Sequence, residues 1–353
     1  MPHDATQEAR RQIEICNACR YCEGYCSVFP AITRKRVFTD GDITQLANLC
    51  HNCRGCYYAC QYIEPHEFDL NIPAVLAEVR TSSWERFVWP GAFARLFQRN
   101  GTIVMLMMVV AFGALFAVRA SDDSGRFYDV MSHNVMVAIF APLFVLPLMI
   151  VFIGLRQYWQ HIEGAPVRMS HMLRAVGMAA HMKDLSGGQG QGCNFEIGDR
   201  YSNARKWAHH AVMYGFLLCF AATGVATLMH YVLDMPAPYG WTSLPKLLGV
   251  PGGVLLTAGA AAMAFLKTRA ERNLGAHNTW GGEMAFILLL LIVAATGLVL
   301  AVAAGTVWVP VLLALHLGAV LTFFVLSPYT KMVHGFFRLA ALVRDAQTSV
   351  HKE

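Results

Sequence analysis

Two copies of one cysteine pattern occupy the first sixty residues: Cys16-x2-Cys19-x2-Cys22-x3-Cys26 and Cys50-x2-Cys53-x2-Cys56-x3-Cys60. Each run supplies three thiolates within seven residues and a fourth slightly further along. That spacing fits a cuboidal iron–sulfur core, and in the two-cluster arrangement the fourth cysteine of each run reaches the other cluster. The expected ligand sets are therefore Cys16, Cys19, Cys22 and Cys60 for one [4Fe–4S] cluster, and Cys26, Cys50, Cys53 and Cys56 for the other. Structural zinc prefers separated C-x2-C pairs or mixed Cys/His sets. A disulfide framework belongs to small secreted chains, and the polar N-terminus shows no cleavable signal. Ser27 and Gln61 stand where proline commonly follows the fourth cysteine.

The rest of the chain has a different character. Only 14% of the 353 residues are charged and 56% are hydrophobic, and the long apolar runs all lie beyond Gly101. Six segments approach the ~20 residues that a membrane helix needs: roughly 102–118, 134–155, 208–230, 248–267, 283–304 and 308–328. Arg156, Arg168, Arg174, Lys183, Arg200, Arg205 and Lys206 crowd the second connection, and Lys267, Arg269 and Arg272 the fourth. The tail adds Lys331, Arg338 and Arg344. Residues 119–133 instead hold Asp122, Asp123 and Asp129 against Arg119 and Arg126. The positive-inside rule then places both termini and the basic loops in the cytoplasm, where thiols stay reduced. The net charge of +5 is a topology signal and needs no nucleic-acid partner.

The expected fold is all-α. An N-terminal α-helical two-cluster ferredoxin-like domain (1–66) leads through an amphipathic linker (67–101) to a six-helix transmembrane cytochrome b-like bundle (102–334) and a cytoplasmic tail (335–353). In the linker, Trp84, Phe87, Trp89, Phe93 and Phe97 fit either an interfacial segment or a plain packed helix. Trp159, Trp207, Trp241, Trp280 and Trp308 fall near span ends, as interfacial anchors do.

Ionisable groups inside a bilayer are costly and usually functional. The third span opens with His209 and His210 and closes with His230. The sixth contains His316 and is followed by His334. With the spans antiparallel, His209 or His210 lies level with His334, and His230 level with His316. On one continuous helix His316 and His334 would share a face, five turns and about 27 Å apart. His209 lies about 60° from His230 around an ideal helix, a better match than His210. These positions fit one or two non-covalent b-type haems held by imidazole pairs; with one haem, the cytoplasmic pair is favoured. No C-x-x-C-H stands in the sequence. Cys193 fits a redox thiol or a structural cysteine. Cys219 reads as a small apolar filler. Glu283 fits a quinone proton donor or a helix-start carboxylate. His133, at the outer start of the second span, fits a proton shuttle or an interfacial side chain. The Gly-rich stretch 187–192 lacks the Lys-Ser/Thr of a phosphate loop.

The paired cysteine runs, the Gly-rich loop with Cys193-Asn194, and Arg205-Lys206-Trp207-Ala208-His209-His210 entering a span together resemble the tricarballylate/citrate utilisation protein B family. The cysteine runs alone are shared with iron–sulfur subunits of heterodisulfide reductases and anaerobic glycerol-phosphate dehydrogenases. The membrane histidines are similar to those of di-haem cytochrome b subunits of nitrate reductases. The resemblance implies a multi-pass protein of the bacterial inner membrane. It would take electrons from a cytoplasmic FAD-dependent tricarboxylate dehydrogenase, through two [4Fe–4S] clusters and haem b, to membrane quinone. It would be the electron-transfer component of that system, with no catalytic residue assigned. The competing reading from another class is a membrane sensor that reads iron or oxygen through its cysteines, with no haem and no quinone site. Transport of the carboxylate itself is disfavoured, because no interrupted paired helices or inverted repeat stand out.

Overall fold

The computed structural model describes residues 5–119, 131–186, 192–195 and 200–349. The acidic connection through Asp122, Asp123 and Asp129, and most of the Gly-rich stretch, lie outside them. Among the described residues, apart from one two-stranded antiparallel hairpin, β1 (Cys193–Phe195) with β2 (Arg200–Ser202), the regular elements are helices.

The N-terminal domain is built from α1 (Ala5–Cys19), α2 (Val28–Thr33), α3 (Asp40–Leu49), α4 (Gly55–Tyr58) and α5 (Ile72–Phe87). Thr39 and Asp42 close a reciprocal cap on α3, each side chain taking the other residue's backbone N–H, which satisfies two donors the first turn cannot. Ala9, Ile13, Ile32, Ile43, Leu46 and Leu76 form the core of the domain. Where the sequence predicts a single amphipathic linker, the chain makes two different structures. Helix α5 is a core element with Trp84 and Phe87 buried, whereas Trp89 and Phe93 beyond it are exposed. The aromatic residues thus serve two environments, a distinction their spacing does not carry.

Among the described residues, six helices are long and apolar enough to cross a membrane. They begin with α6 (Gly91–Arg119), α7 (His133–His161) and, after the short α8 (Met169–His181), α9 (Ala204–Tyr231). Helices α10 (Leu244–Thr268), α11 (Trp280–Val302) and α12 (Val309–Leu326) complete the bundle. Large apolar side chains such as Ile103, Met107, Val110, Phe152, Leu217 and Phe265 are exposed on them, as surfaces facing hydrocarbon are. Small residues set the helix spacing, as in membrane bundles generally. A Cβ on Gly318 of α12 would meet the backbone nitrogen of Gly113 on α6 at 2.6 Å, and one on Gly259 of α10 would meet that of Val212 on α9 at 2.7 Å.

The last span differs from its expected form. Helix α12 stops at Leu326, a 3-10 turn spans Ser327–Tyr329, and a new helix, α13, runs Val333–Ser349. Pro328 accounts for the break, since it has no N–H to continue the helix. His316 and His334 therefore belong to different helices, and the same-face argument for them fails. The expected tail is also an ordered helix. Phe337, Ala341, Leu342 and Val343 of α13 are buried, and Gln45 Nε2 of α3 reaches the Ala341 carbonyl at 3.4 Å.

Candidate functional site: two cysteine cavities above a histidine pair

The cysteine domain caps one end of the bundle. The Thr44 hydroxyl meets His161 Nε2 at the end of α7 at 3.2 Å, and Asn52 Nδ2 donates to Leu274 O after α10 at 2.9 Å. Arg205 at the start of α9, and α13, contact it as well. Both ends of the described chain and the two basic connections thus meet at one end of the helices.

Two cavities lie within this cap. The outer one is lined by Cys16, Cys19, Cys22 and Cys60, with Tyr21, Tyr62 and Leu70. The inner one is lined by Cys26, Cys50, Cys53 and Cys56, with Val28, His51 and Leu76. Phe29 belongs to both walls. Each cavity combines three cysteines of one run with the fourth of the other. Among the described residues, no three His, Cys, Asp or Glu side chains converge closely enough for a single metal ion. Four thiols around a void suit a polynuclear core better than a tetrahedral ion.

The two runs fold alike. Arg20 and Arg54, each directly after the second cysteine of its run, both adopt positive φ, 57° and 69°. That conformation costs a non-glycine residue about 1–3 kcal/mol, and here it curls each run around its cavity. Backbone N–H groups turn toward sulfur: Asn52 N to Cys50 Sγ at 3.3 Å and Tyr62 N to Cys60 Sγ at 3.4 Å. Around the inner cavity, three arginines take four consecutive carbonyls. Arg338 Nη2 donates to Leu49 O at 2.5 Å, Arg80 Nη1 to Cys50 O at 2.7 Å, Arg205 Nη2 to His51 O at 3.2 Å and Arg205 Nη1 to Asn52 O at 2.5 Å. With its oxygens drawn outward, the loop turns the Asn52 N–H toward Cys50 Sγ. The sequence reading took Arg205 and Arg338 as topology signals and did not single out Arg80, because their partners are backbone carbonyls distant in sequence.

Burial pushes the Cys16, Cys22 and Cys53 thiols up to about 12; Cys60 adds to the first two, and Cys193 to the third. Burial also carries Cys26 and Cys56 well above the ordinary thiol range. Metal-free, these thiols hold their protons at neutral pH, and metal binding must expel them. Iron retention should therefore fall as pH is lowered and rise as it is raised between about 6 and 9. Iron counted after anaerobic equilibration across that range checks this; retention that is flat or falls with rising pH would contradict it.

The histidine pair lies beside these arginines, His209 one turn after Arg205 on α9 and His334 one turn before Arg338 on α13. The His209 and His334 rings stand 5.9 Å apart, centroid to centroid, at 80°. Two metal–nitrogen bonds of about 2 Å plus the ring radii require roughly 6 Å across one iron. His334 Nδ1 bonds the Lys331 carbonyl, which fixes that tautomer and leaves Nε2 available, as ligating histidines are commonly held. His209 Nδ1 is buried without a hydrogen-bond partner. The same atom of His210 also lacks one, but that ring faces elsewhere. His210 Nε2 meets Ala180 O at 3.1 Å, and the ring stacks on Tyr214 with centroids 5.8 Å apart. The residues at His209 and His334 fit a bis-imidazole haem.

The expected outer pair is not assembled. His230 stacks on His133 with centroids 4.2 Å apart, and His133 Nε2 meets the Tyr231 hydroxyl at 2.9 Å. His316 Nδ1 meets the Thr296 hydroxyl at 3.0 Å, and its ring lies against Gly297. The matched depth expected for His230 and His316 does not bring them together, because each sits beside a different helix, α7 and α11 respectively.

The remaining candidates also have definite places. Cys193 is buried in a small cluster with Cys53, Met182 and Leu185. Cys219 Sγ lies 3.9 Å from Gly249 O between α9 and α10. Glu283 bridges two lysines, Lys267 at 2.5 Å and Lys331 at 2.6 Å.

The cysteine domain and the bundle each match a known protein family. The family model described as "Citrate utilization protein B Fer4-like domain" matches residues 9–85, and "Citrate utilization protein B" matches residues 95–352. A relative of that same description from Escherichia coli is 40% identical over 347 residues, covering 96% of this chain and 91% of the relative. No solved structure matches the chain. The chain belongs to the citrate utilization protein B family.

Proposed function

We propose that this protein is a membrane electron-transfer component. It would carry electrons from a reduced cytoplasmic FAD-dependent dehydrogenase of tricarboxylate (citrate or tricarballylate) catabolism, through two [4Fe–4S] clusters and a b-type haem, to membrane quinone. The observation that carries this reading is the gathering at one end of the bundle of two four-cysteine cavities that share Phe29 and of the facing His209/His334 rings. The clusters and haem supply one-electron carriers, which a two-electron flavin donor feeding a quinone requires.

The residues divide the work. Cys16, Cys19, Cys22 and Cys60 hold the outer cluster, next to exposed Cys19 and Tyr21, where a soluble partner has access. Cys26, Cys50, Cys53 and Cys56 hold the inner cluster. Arg80, Arg205 and Arg338 surround it with positive charge, which favours the reduced form of a metal centre. That places the better electron acceptor toward the membrane. Phe29 and the apolar lining restrict water between the two. His209 and His334 hold one haem. In this orientation the clusters, both termini and the basic loops face the cytoplasm of a bacterial inner membrane. A sensor that reads metal through its cysteines would have no use for the imidazole pair.

Dithionite-reduced minus oxidised spectra of purified protein test the reading. Split α and β bands of b haem that disappear on addition of a soluble quinone are expected. A flat spectrum, or a haem that quinone cannot oxidise, would contradict the proposed route.

A further inference from the structure

His51 lies inside the second cysteine run, between Cys50 and Cys53, and is one of the residues lining the inner cavity. Arg338 Nη1 stands 3.0 Å from His51 Nδ1. A guanidinium has no acceptor, so His51 Nδ1 must accept, and the imidazole proton resides on Nε2. The same arginine holds Leu49 O, and Arg205 holds His51 O. Backbone and ring are therefore both fixed. Arg205, which holds the His51 carbonyl, stands one turn before His209 on α9, and Arg338, which holds the ring, one turn after His334 on α13, so His51 adjoins the histidine pair.

We propose that His51 is a tuning and positioning residue for the inner cluster: its Nε2–H, held in that tautomer by Arg338, donates toward the cluster sulfurs and sets the handover to the His209/His334 haem. This deepens the electron-transfer reading and rests on it. An N–H donor to cluster sulfur stabilises the reduced state, because that state carries more negative charge on sulfur. No proton leaves His51 in the step; one electron arrives at the cluster and one departs. Nothing in the cysteine spacing calls for a histidine at this position, and the outer run has Asn17 in its place.

Two amide substitutions separate the ring's two nitrogens. In His51→Asn the amide reaches the place of Nδ1 and keeps the Arg338 contact, but no donor stands at Nε2. In His51→Gln the amide reaches the place of Nε2. Full-length protein in detergent is titrated anaerobically with EPR detection of each cluster, iron is counted, and haem reduction is followed after mixing with dithionite. His51→Asn is expected to make the inner cluster about tenfold harder to reduce, which is 59 mV for one electron. Haem reduction should slow by a similar factor, with the outer cluster and the iron content unchanged. His51→Gln is expected to stay within about threefold of the unmodified protein. The proposal is overturned if both variants match that protein, if the two clusters shift together, or if His51→Gln is impaired as much as His51→Asn. Unmodified protein that holds clusters but no reducible haem would instead defeat the electron-transfer reading itself.

Discussion

His209→Ala is expected to abolish the b-haem absorbance while leaving about eight irons per chain in the clusters, and His210→Ala is expected to leave both. The contrast follows from where the two rings point. His209 faces His334 across 5.9 Å, whereas the His210 imidazole and the Tyr214 hydroxyl both meet the Ala180 carbonyl. His334→Ala should reproduce His209→Ala, since one imidazole cannot hold a six-coordinate bis-histidine iron. Haem content by pyridine haemochrome and iron by colorimetric assay, on the same samples, report the result. Haem lost from His210→Ala and retained in His209→Ala would reverse the assignment. His230→Ala and His316→Ala serve as controls: with their rings engaged by His133 and Thr296, neither should change the spectrum of a single-haem protein.

The second large effect tests the crossing of the cysteine runs. Cys26→Ala should remove the inner cluster, although Cys26 belongs by sequence to the first run. Cys60→Ala should remove the outer one. Each variant is expected to fall from about eight irons to about four, and the EPR signal that survives should differ between them. If each run instead served its own cluster, Cys26→Ala would lose the same signal as Cys19→Ala. The structure predicts that Cys26→Ala loses the same signal as Cys53→Ala, because both line the inner cavity. The inner-cluster variants should also slow haem reduction the more, since that site adjoins the histidine pair.

Much of this organisation was legible from the chain. Cysteine spacing marked both cavities and their crossed membership, because three thiols in seven residues leave few ways to fold around one object. Hydropathy marked the spans, because the bilayer thickness sets a minimum length. The spans begin and end within a few residues of expectation except that the first extends back to Gly91 through a kink at Asn100 and the second runs on to His161. What escaped depends on contacts between distant residues. The different surroundings of His209 and His210 arise from contact of His210 with Ala180, near the end of α8 and distant from it in sequence. The role of the last segment depends on α13 packing against α3. The three arginines bind backbone carbonyls of the 49–52 loop, and carbonyls carry no sequence identity. The one inference that failed on local grounds, the shared face of His316 and His334, ignored Ser327-Pro328, which ends the helix between them.

The central claim is that this membrane chain holds two iron–sulfur clusters in line with a haem. The most direct test is an iron and acid-labile sulfide count on anaerobically purified, reconstituted protein, joined to EPR of the dithionite-reduced sample. About eight cluster irons with matching sulfide, and spectra showing two magnetically interacting [4Fe–4S] centres, are the predicted result. Iron that fails to exceed the haem content, with no cluster signal on reduction, would contradict it.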